Sequence, residues 1–586
     1  MAVNRAPTLV ATVILLTSAC RDPEANFPMP PGADDAAIPR DLGNDLGNDS
    51  GPGPVDAGVD APAPVDLPVA MDAGRDTGRV PPTDMGTVMP VDMGVVPPPD
   101  RGVDTGVDVV LADIPRDIGP LHDGAFAGIA EGMSPEAIPS RRVRCTNDPP
   151  GVPRVTVGAA DRYVVRGRIA APSGVIAAGE ILVVNGLLAC VAASCAGRPG
   201  YDGATRIDTA GVIHAGLINA HDHPQYNFLP PWQPTRRFTN SAQWRGTTSY
   251  RDFTTPLREN ESMYTCQMVK WGELRSLVSG TTTLQGVPNR TCVTRTLVRN
   301  IEYPNDFGGV DTHRPNTLGI ASVDSAAAMG LRADMDSGDL TAYILHLSEG
   351  IDEVSRREYD TLVARNLLAP GLVVIHGTAL RAAEFRAMGM ARARLVWSPR
   401  SNVILYGRTT DVGLAMDNNI PIALAPDWSP SGGPDMLAEM RYARAISTTY
   451  LNGRISDRRL VEMSTSEAAR VVDRTQTGAL VEGRYADLVV VPDWGCDAWS
   501  TLVDAPTSDV RLVMIGGRAL YGDAALMEAL PPAAQARCEP VTFCGQPKRI
   551  CVALAATDNL LNQTLADIER DLRTFVEPYP LVPLCP

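Results

Sequence analysis

Only two lysines, Lys270 and Lys548, occur in the 586 residues, no two cysteines stand in C-x-x-C spacing, and residues 21–120 hold a single aromatic, Phe27. The missing C-x-x-C pairs argue against a structural zinc ribbon. The apolar run near the start, Leu9 to Leu16, is too short to cross a bilayer. Residues 21–120 combine 18 prolines with 19 Asp or Glu against 6 Arg, a net charge of −13. Such a composition cannot bury enough apolar surface to offset its ordering entropy, so residues 21–140 read as a disordered acidic Pro/Asp/Gly-rich tether. Most of the chain's formal charge of −16 lies there, and the remainder is near neutral. Neither nucleic-acid binding nor electrostatic capture of acidic substrates is suggested.

What is present begins with a leader. Arg5, the short apolar run and Thr17-Ser18-Ala19-Cys20 have the layout of a secretory signal over residues 1–20. Its ending resembles a bacterial lipobox, with Thr17 where Leu is usual, and the resemblance implies a lipid on Cys20. The expectation is export and lipid anchoring in the bacterial cell envelope, at the outer membrane or cell surface, with membrane contact through Cys20 only. Ten further cysteines remain: Cys145, Cys190, Cys195, Cys266, Cys292, Cys496, Cys538, Cys544, Cys551 and Cys585. An even number in an exported chain favours disulfides, with connectivity open. Linkage is expected within 538–585, and Cys190 with Cys195 is a further candidate pair. Residues 526–586 thus read as a Cys-rich extension stapled around a helix near Thr557 to Phe575.

The body is long enough for a barrel of about 250 residues with appendages. Short β-branched runs broken by Gly occupy 141–212, as in Tyr163 to Ile169 and Glu180 to Gly186, and return over 478–525 at Ala486 to Val491 and Val510 to Gly517. Between them, over 213–477, helical periods alternate with buried strands. Strands are expected at Val212 to Ala220, Thr281 to Leu284 and Ala342 to Leu345, then ending at His376, near Trp397 and at Asp427. Helices are expected at Val354 to Leu367 and Leu380 to Met388. The fold class is α/β: a TIM-type (β/α)8 barrel with a small composite β-sandwich built from segments before and after it. In such a barrel, polar residues ending strands form the active site.

The chain has seven histidines, and His221, His223, His346 and His376 follow or end strands of this one region. A lone strand-end histidine is commonly a satisfied core residue, but four together favour a shared metal site. Of the rest, His122 precedes the body, His214 opens the first strand, and His313 sits in a loop before Pro315.

Ala215-Gly216-Leu217-Ile218-Asn219-Ala220 running into His221-Asp222-His223 resembles the first-strand signature of the metal-dependent amidohydrolase superfamily. His346-Leu347-Ser348-Glu349 is similar to the fifth-strand motif of its cytosine-deaminase and chlorohydrolase-like branch. His376-Gly377, Ser398-Pro399-Arg400-Ser401-Asn402 and Asp427 fit the later strand ends, and Gly478 to Leu488 resembles the return into the small β-sandwich. Departures are Ala215 in place of the usual Pro, and Pro426 and Trp428 flanking Asp427. The resemblance implies His221, His223, His346 and Asp427 as ligands of one divalent ion, Zn or Fe, whose bound water loses its proton near neutral pH. It implies Glu349, His376 and Asp427 as catalytic groups: Glu349 delivers a proton to the leaving atom, His376 orients the water or stabilises an oxyanion, and Asp427 can take the water proton. Binuclear members typically use a carboxylated lysine on strand four. Lys270 lies in the helix before strand two and Lys548 in the extension, so a single ion is favoured.

Tyr226, Phe228, Trp232, Phe238 and Trp244, interleaved with Arg236 and Arg237, could line a pocket mouth or form a packed structural loop. Ser431-Gly432-Gly433 lacks the Lys and spacing of a P-loop and reads as a flexible loop. The expected activity is hydrolysis of a non-peptide C–N bond in a small molecule, with deamination of a cyclic amidine or heterocycle foremost. Cyclic amide hydrolysis, chlorohydrolase-like chemistry and a non-catalytic binding protein are the rivals.

Overall fold

A computed structural model describes residues 134, 136, 138–287, 297–553, 562–576 and 581–585. The leader, Cys20, Cys292 and all but the last few tether residues lie outside the described residues. Before the barrel come β1 (Arg154–Thr156), β2 (Ala159–Ala171), β3 (Gly174–Val184), β4 (Leu187–Ala192) and β5 (Ala204–Ala215). The next eight strands are β6 (Leu217–Asn219), β7 (Thr281–Leu284), β8 (Arg299–Asn300), β9 (His313–Asn316), β10 (Ala342–Leu347), β11 (Leu372–His376), β12 (Arg394–Trp397) and β13 (Ile422–Leu424). They pair in parallel as two arcs, three strands in β6-β7-β8 and five in β9 through β13. An isolated parallel bridge, Asp222 to Asp427, joins the ends of the first and last strands. Among the described residues β8 and β9 share no ladder, so the ring of pairing is not closed.

Alternation along these strands separates an inner face from an outer one. Ile218, Ala342, Ile344, Val373, Ile375, Val396 and Ala423 form one cluster inside the arcs. Tyr343, Leu345, Leu372, Val374 and Leu395 belong instead to the core shared with the helices. Aspartates start several of these helices. Asp324, Asp352, Asp411 and Asp435 each accept a backbone N–H of the first turn, capping Ser325–Ser337, Glu353–Ala364, Val412–Asp417 and Met436–Tyr450. Each such cap contributes about 1 kcal/mol.

The chain leaves the barrel into β14 (Leu488–Pro492), β15 (Leu512–Ile515), β16 (Arg518–Asp523), β17 (Glu539–Phe543) and β18 (Gln546–Ile550). These strands and β1 to β5 form one ten-stranded sheet, with β14 beside β5 at the seam. The C-terminal hairpin β17–β18 extends that sheet through β16. Disulfides join Cys145 to Cys496, Cys190 to Cys195, Cys538 to Cys551 and Cys544 to Cys585. The helix expected near 557–575 spans Leu565–Arg573 among the described residues.

Three expectations change. The run Val212 to Ala220 is not one strand: β5 belongs to the ten-stranded sheet and β6 to the barrel. The break falls at Gly216, where a Cβ would stand 2.2 Å from Thr282 Oγ1, so only glycine lets the chain pass there. His313 is not in a loop but opens β9, buried, with Nε2 against the Val472 carbonyl. Ser431-Gly432-Gly433 is a buried, tightly packed turn, not a flexible loop. A Cβ on Gly432 would overlap the Pro426 carbonyl, and Gly433 N–H donates to Glu439 Oε2 at 2.8 Å.

Candidate metal centre and active site

Six side chains converge where the parallel strands end. The rings of His221 and His346 have centroids 4.6 Å apart, His221 and His223 4.9 Å, and His346 and His376 5.2 Å. Possible ligand atoms of His221, His346 and His376 lie within 4.8 Å of one another, and so do those of His221, His223 and Asp427. The ligand set expected from sequence therefore spans two overlapping groups that share His221, and His376 stands close enough to be counted with the ligands. Glu349 is buried nearby on the loop leaving β10. The structure brings together all the expected site residues.

His376 and Asp427 both have left-handed backbones, with φ of 68° and 73°. For non-glycine residues this costs about 1–3 kcal/mol each and is characteristic of functional sites. His376 shows why it matters. By alternation it shares the outward side of Leu372 and Val374, yet its ring lies with His346 inside.

Neighbours set the tautomers. Gln285 Nε2 donates to Glu302 Oε1 at 2.5 Å, which turns Gln285 Oε1 toward His221 Nδ1 at 3.0 Å. His221 therefore carries its hydrogen on Nδ1 and presents the lone pair of Nε2. Asn402 donates to Thr409 and Thr410, so its Oδ1 faces His376 Nδ1 at 3.2 Å and frees Nε2 in the same way. Asp427 Oδ2 accepts from Ser401 Oγ at 2.6 Å. Its Oδ1 lies 3.0 Å from His221 Nε2 and 3.5 Å from His223 Nε2.

This is the point at which the residues fit a cation. His221 Nε2 is buried and has no hydrogen-bond partner, although Asp427 Oδ1 stands beside it. Two lone pairs in that position repel unless a proton or a metal ion lies between them. Burial alone would depress His221, but the contact with Asp427 and its charge outweigh burial and draw its pKa upward. The same opposition holds Asp427 far below the ordinary carboxylate range. Burial, with the neighbouring imidazoles adding to it, pushes His223 down to about 3 and His346 well below its usual value. Both are thereby kept neutral, the form that binds metal.

Glu349 has two partners. Its Oε1 accepts from the Tyr406 hydroxyl at 2.6 Å, and its Oε2 lies 3.4 Å from Arg245 Nη2. Backbone bonds from Ser241 N–H to the Glu349 carbonyl and from Ile351 N–H to Thr239 hold this loop against the segment after β6.

Aromatic residues enclose the same region. Tyr226 and Trp428 lie at 5.2 Å, Trp244 and Tyr250 at 4.9 Å, and Trp428 stands 6.3 Å from the His223 ring. Trp232 and Phe238 stack in the buried core, and Phe228 packs on Phe575 of the extension at 5.9 Å. For those three residues the packed-loop alternative is the one observed. Gln285, Glu302, Ser401, Asn402, Tyr406, Arg245, Tyr250 and Trp428 carried no site assignment from the sequence. Ser401 and Asn402 lay in a recognised motif, but nothing in the spacing of the others marks them.

Comparison with known proteins agrees with this architecture. Residues 316–520 match the family model described as the amidohydrolase family. A 5-methylthioadenosine/S-adenosylhomocysteine deaminase of Pyrococcus abyssi is 26% identical over 200 residues, covering 31% of this chain and 47% of that protein. The protein of the same name from Bacillus thuringiensis (strain Al Hakam) is 23% identical over 323 residues, 47% of this chain and 72% of that one. The chain thus spans about half of the first relative and nearly three quarters of the second. Among solved structures, a zinc-bound adenosine deaminase from Xanthomonas campestris superposes with a TM-score of 0.52 at 16% identity, over 70% of this chain and 97% of its own. A triazine hydrolase variant gives 0.53 at 14% identity, over 71% and 99%. At these identities the structural likeness concerns the fold. Family match and histidine groups together support a divalent metal at this site.

Proposed function

We propose that this chain is a metal-dependent hydrolase that cleaves a non-peptide carbon–nitrogen bond, an aminohydrolase acting on an aminated heterocycle or cyclic amidine. The observation that carries the reading is the convergence of four histidines and Asp427 on one buried point, with Glu349 beside it. The amidohydrolase match and the deaminase names of the relatives support the same chemistry. His221, His223, His346 and Asp427 would hold one ion, zinc or iron. Such an ion supplies Lewis acidity and lowers the pKa of water toward about 7. The protein's own part is orientation and proton transfer. Asn402 fixes the His376 ring, Ser401 fixes Asp427, and Glu349 carries a proton to the leaving nitrogen.

The test is ammonia release by metal-loaded protein from aminopurine nucleosides, aminopyrimidines, aminotriazines and pterins, with cyclic amides alongside. Ammonia from an aminated heterocycle is expected. Chloride release or ring opening alone would replace this reading with chlorohydrolase or cyclic amidase chemistry, and tight binding without turnover would indicate a binding protein. Glu349→Gln should lower turnover by about 10²- to 10⁴-fold with metal content retained.

Lipid anchoring at Cys20 is proposed on the leader alone. Cys20→Ala should move the protein from the membrane to the soluble fraction; wild-type protein that is soluble with an unmodified Cys20 would refute it.

A further inference from the structure

Glu349 ends a hydrogen-bond chain that contains no metal ligand. Trp244 Nε1 lies 2.8 Å from the Tyr406 oxygen, and the Tyr406 hydroxyl lies 2.6 Å from Glu349 Oε1. An indole N–H can only donate, so the Tyr406 oxygen is the acceptor of that bond. Its single hydrogen is then committed to Glu349. A proton on Oε1 would face the Tyr406 hydrogen, and the chain would have to break.

We propose that Tyr406, oriented by Trp244, is a positioning residue that reserves Glu349 Oε1 as an acceptor and makes Oε2 the atom that takes up and returns the catalytic proton. The proposal rests on the reading of Glu349 as proton carrier and deepens it. In the cycle, an Oε2–H bond forms as the attacking water loses a proton. That bond breaks as the proton passes to the leaving nitrogen, which departs as ammonia, and Glu349 ends unchanged.

Two further observations support the assignment. Trp244, Tyr406 and Glu349 are 6%, 2% and 6% exposed, so water does not compete for the chain. Arg245, the partner of Oε2, is 43% exposed in its side chain and its contact is long at 3.4 Å. The longer Arg245 contact leaves Oε2 the more loosely held oxygen, whereas the buried phenol holds Oε1 at 2.6 Å. The chain also joins three parts of the barrel. Trp244 comes from the short helix Ser241–Arg245 after β6, Glu349 from the loop after β10, and Tyr406 from the helix Pro399–Tyr406 after β12. His376, Tyr250 and Glu358 complete the titratable groups that interact with Glu349 from the surrounding elements.

The test has one arm that needs no substrate. Infrared difference spectra of metal-loaded wild type against Glu349→Gln, acidified until the Glu349 carboxyl band appears, report its C=O stretch. Tyr406→Phe should move that band to higher frequency, because the carbonyl loses its donor; an unmoved band overturns the proposal. The second arm uses ammonia release, with 5-methylthioadenosine as the first probe and then whichever aminated heterocycle is turned over. Tyr406→Phe should lower kcat by about 10- to 100-fold, the worth of a hydrogen bond to a charged group, with KM and metal content unchanged. In the Glu349→Gln background it should cost little more. Full turnover by Glu349→Gln overturns the reading of Glu349 and this proposal with it. A crippled Glu349→Gln beside an unimpaired Tyr406→Phe, or losses that simply add, overturns the proposal alone. Trp244→Phe, which keeps the aromatic packing but frees the Tyr406 hydrogen to rotate, should reproduce part of the kcat loss.

Discussion

At the scale of single residues, the site depends on what stands behind the candidate ligands. Gln285 sets the His221 tautomer, and Glu302 holds Gln285 in turn. Burial pushes Glu302 up to about 7, opposed by the Gly286 N–H and the Gln285 amide. Gln285→Leu should leave His221 in place but release its ring, weakening metal affinity about 10- to 100-fold, as competition with a chelator would measure. Asp427→Asn should do more. It removes the charge that interacts with the His221, His223 and His376 imidazoles, and metal content after dialysis should fall well below that of wild type.

Among the elements, the seam between the ten-stranded sheet and the barrel is the most exacting. Gly216→Ala would drive a methyl into Thr282 and should cost about 1–3 kcal/mol, read from urea denaturation. Close to the same seam, His214 is buried in β5 with its ring 5.9 Å from that of Trp499. Burial depresses its pKa to about 3. The unfolded chain, with an ordinary histidine pKa of about 6.5, binds the proton that the native state refuses, so this contribution to stability is present above about pH 6.5 and is lost as pH falls below it. His214→Leu should flatten the loss of stability between pH 7 and pH 5 relative to wild type. An identical pH slope in the two proteins would show that His214 is not its source.

For the molecule as a whole, bonds distant in sequence tie the barrel to what surrounds it. Cys145–Cys496 links residues 351 apart across the whole barrel segment. Replacing both by Ser should lower stability by about 2–5 kcal/mol while leaving metal content near that of wild type. The tail is tied more locally. Cys544–Cys585 brings it beside Phe228, where Val582 bonds the Phe228 carbonyl and Trp271. The extension thus packs on the segment that follows His221-Asp222-His223.

Much of this was legible in the amino-acid order. Apolar, β-branched runs and turn residues located the strands because such runs are a local property of the chain, and strand-end histidines marked the site because a barrel gathers its strand ends at one face. The cysteine count anticipated disulfides, including Cys190–Cys195, whose five-residue separation is local. Other features depend on contacts between distant segments and only the tertiary structure decided them. Gly216 ends one sheet and begins another because Thr282 leaves no room for a side chain. His376 faces inward only because its backbone is left-handed, against the parity of β11. Gln285, Tyr406 and Trp244 reach the site from three separate loops and helices, and no spacing along the chain records a hydrogen bond across 57 or 162 residues. Covalent order specifies which groups are available; folding sets which lone pair faces which proton, and the chemistry of the site depends on that.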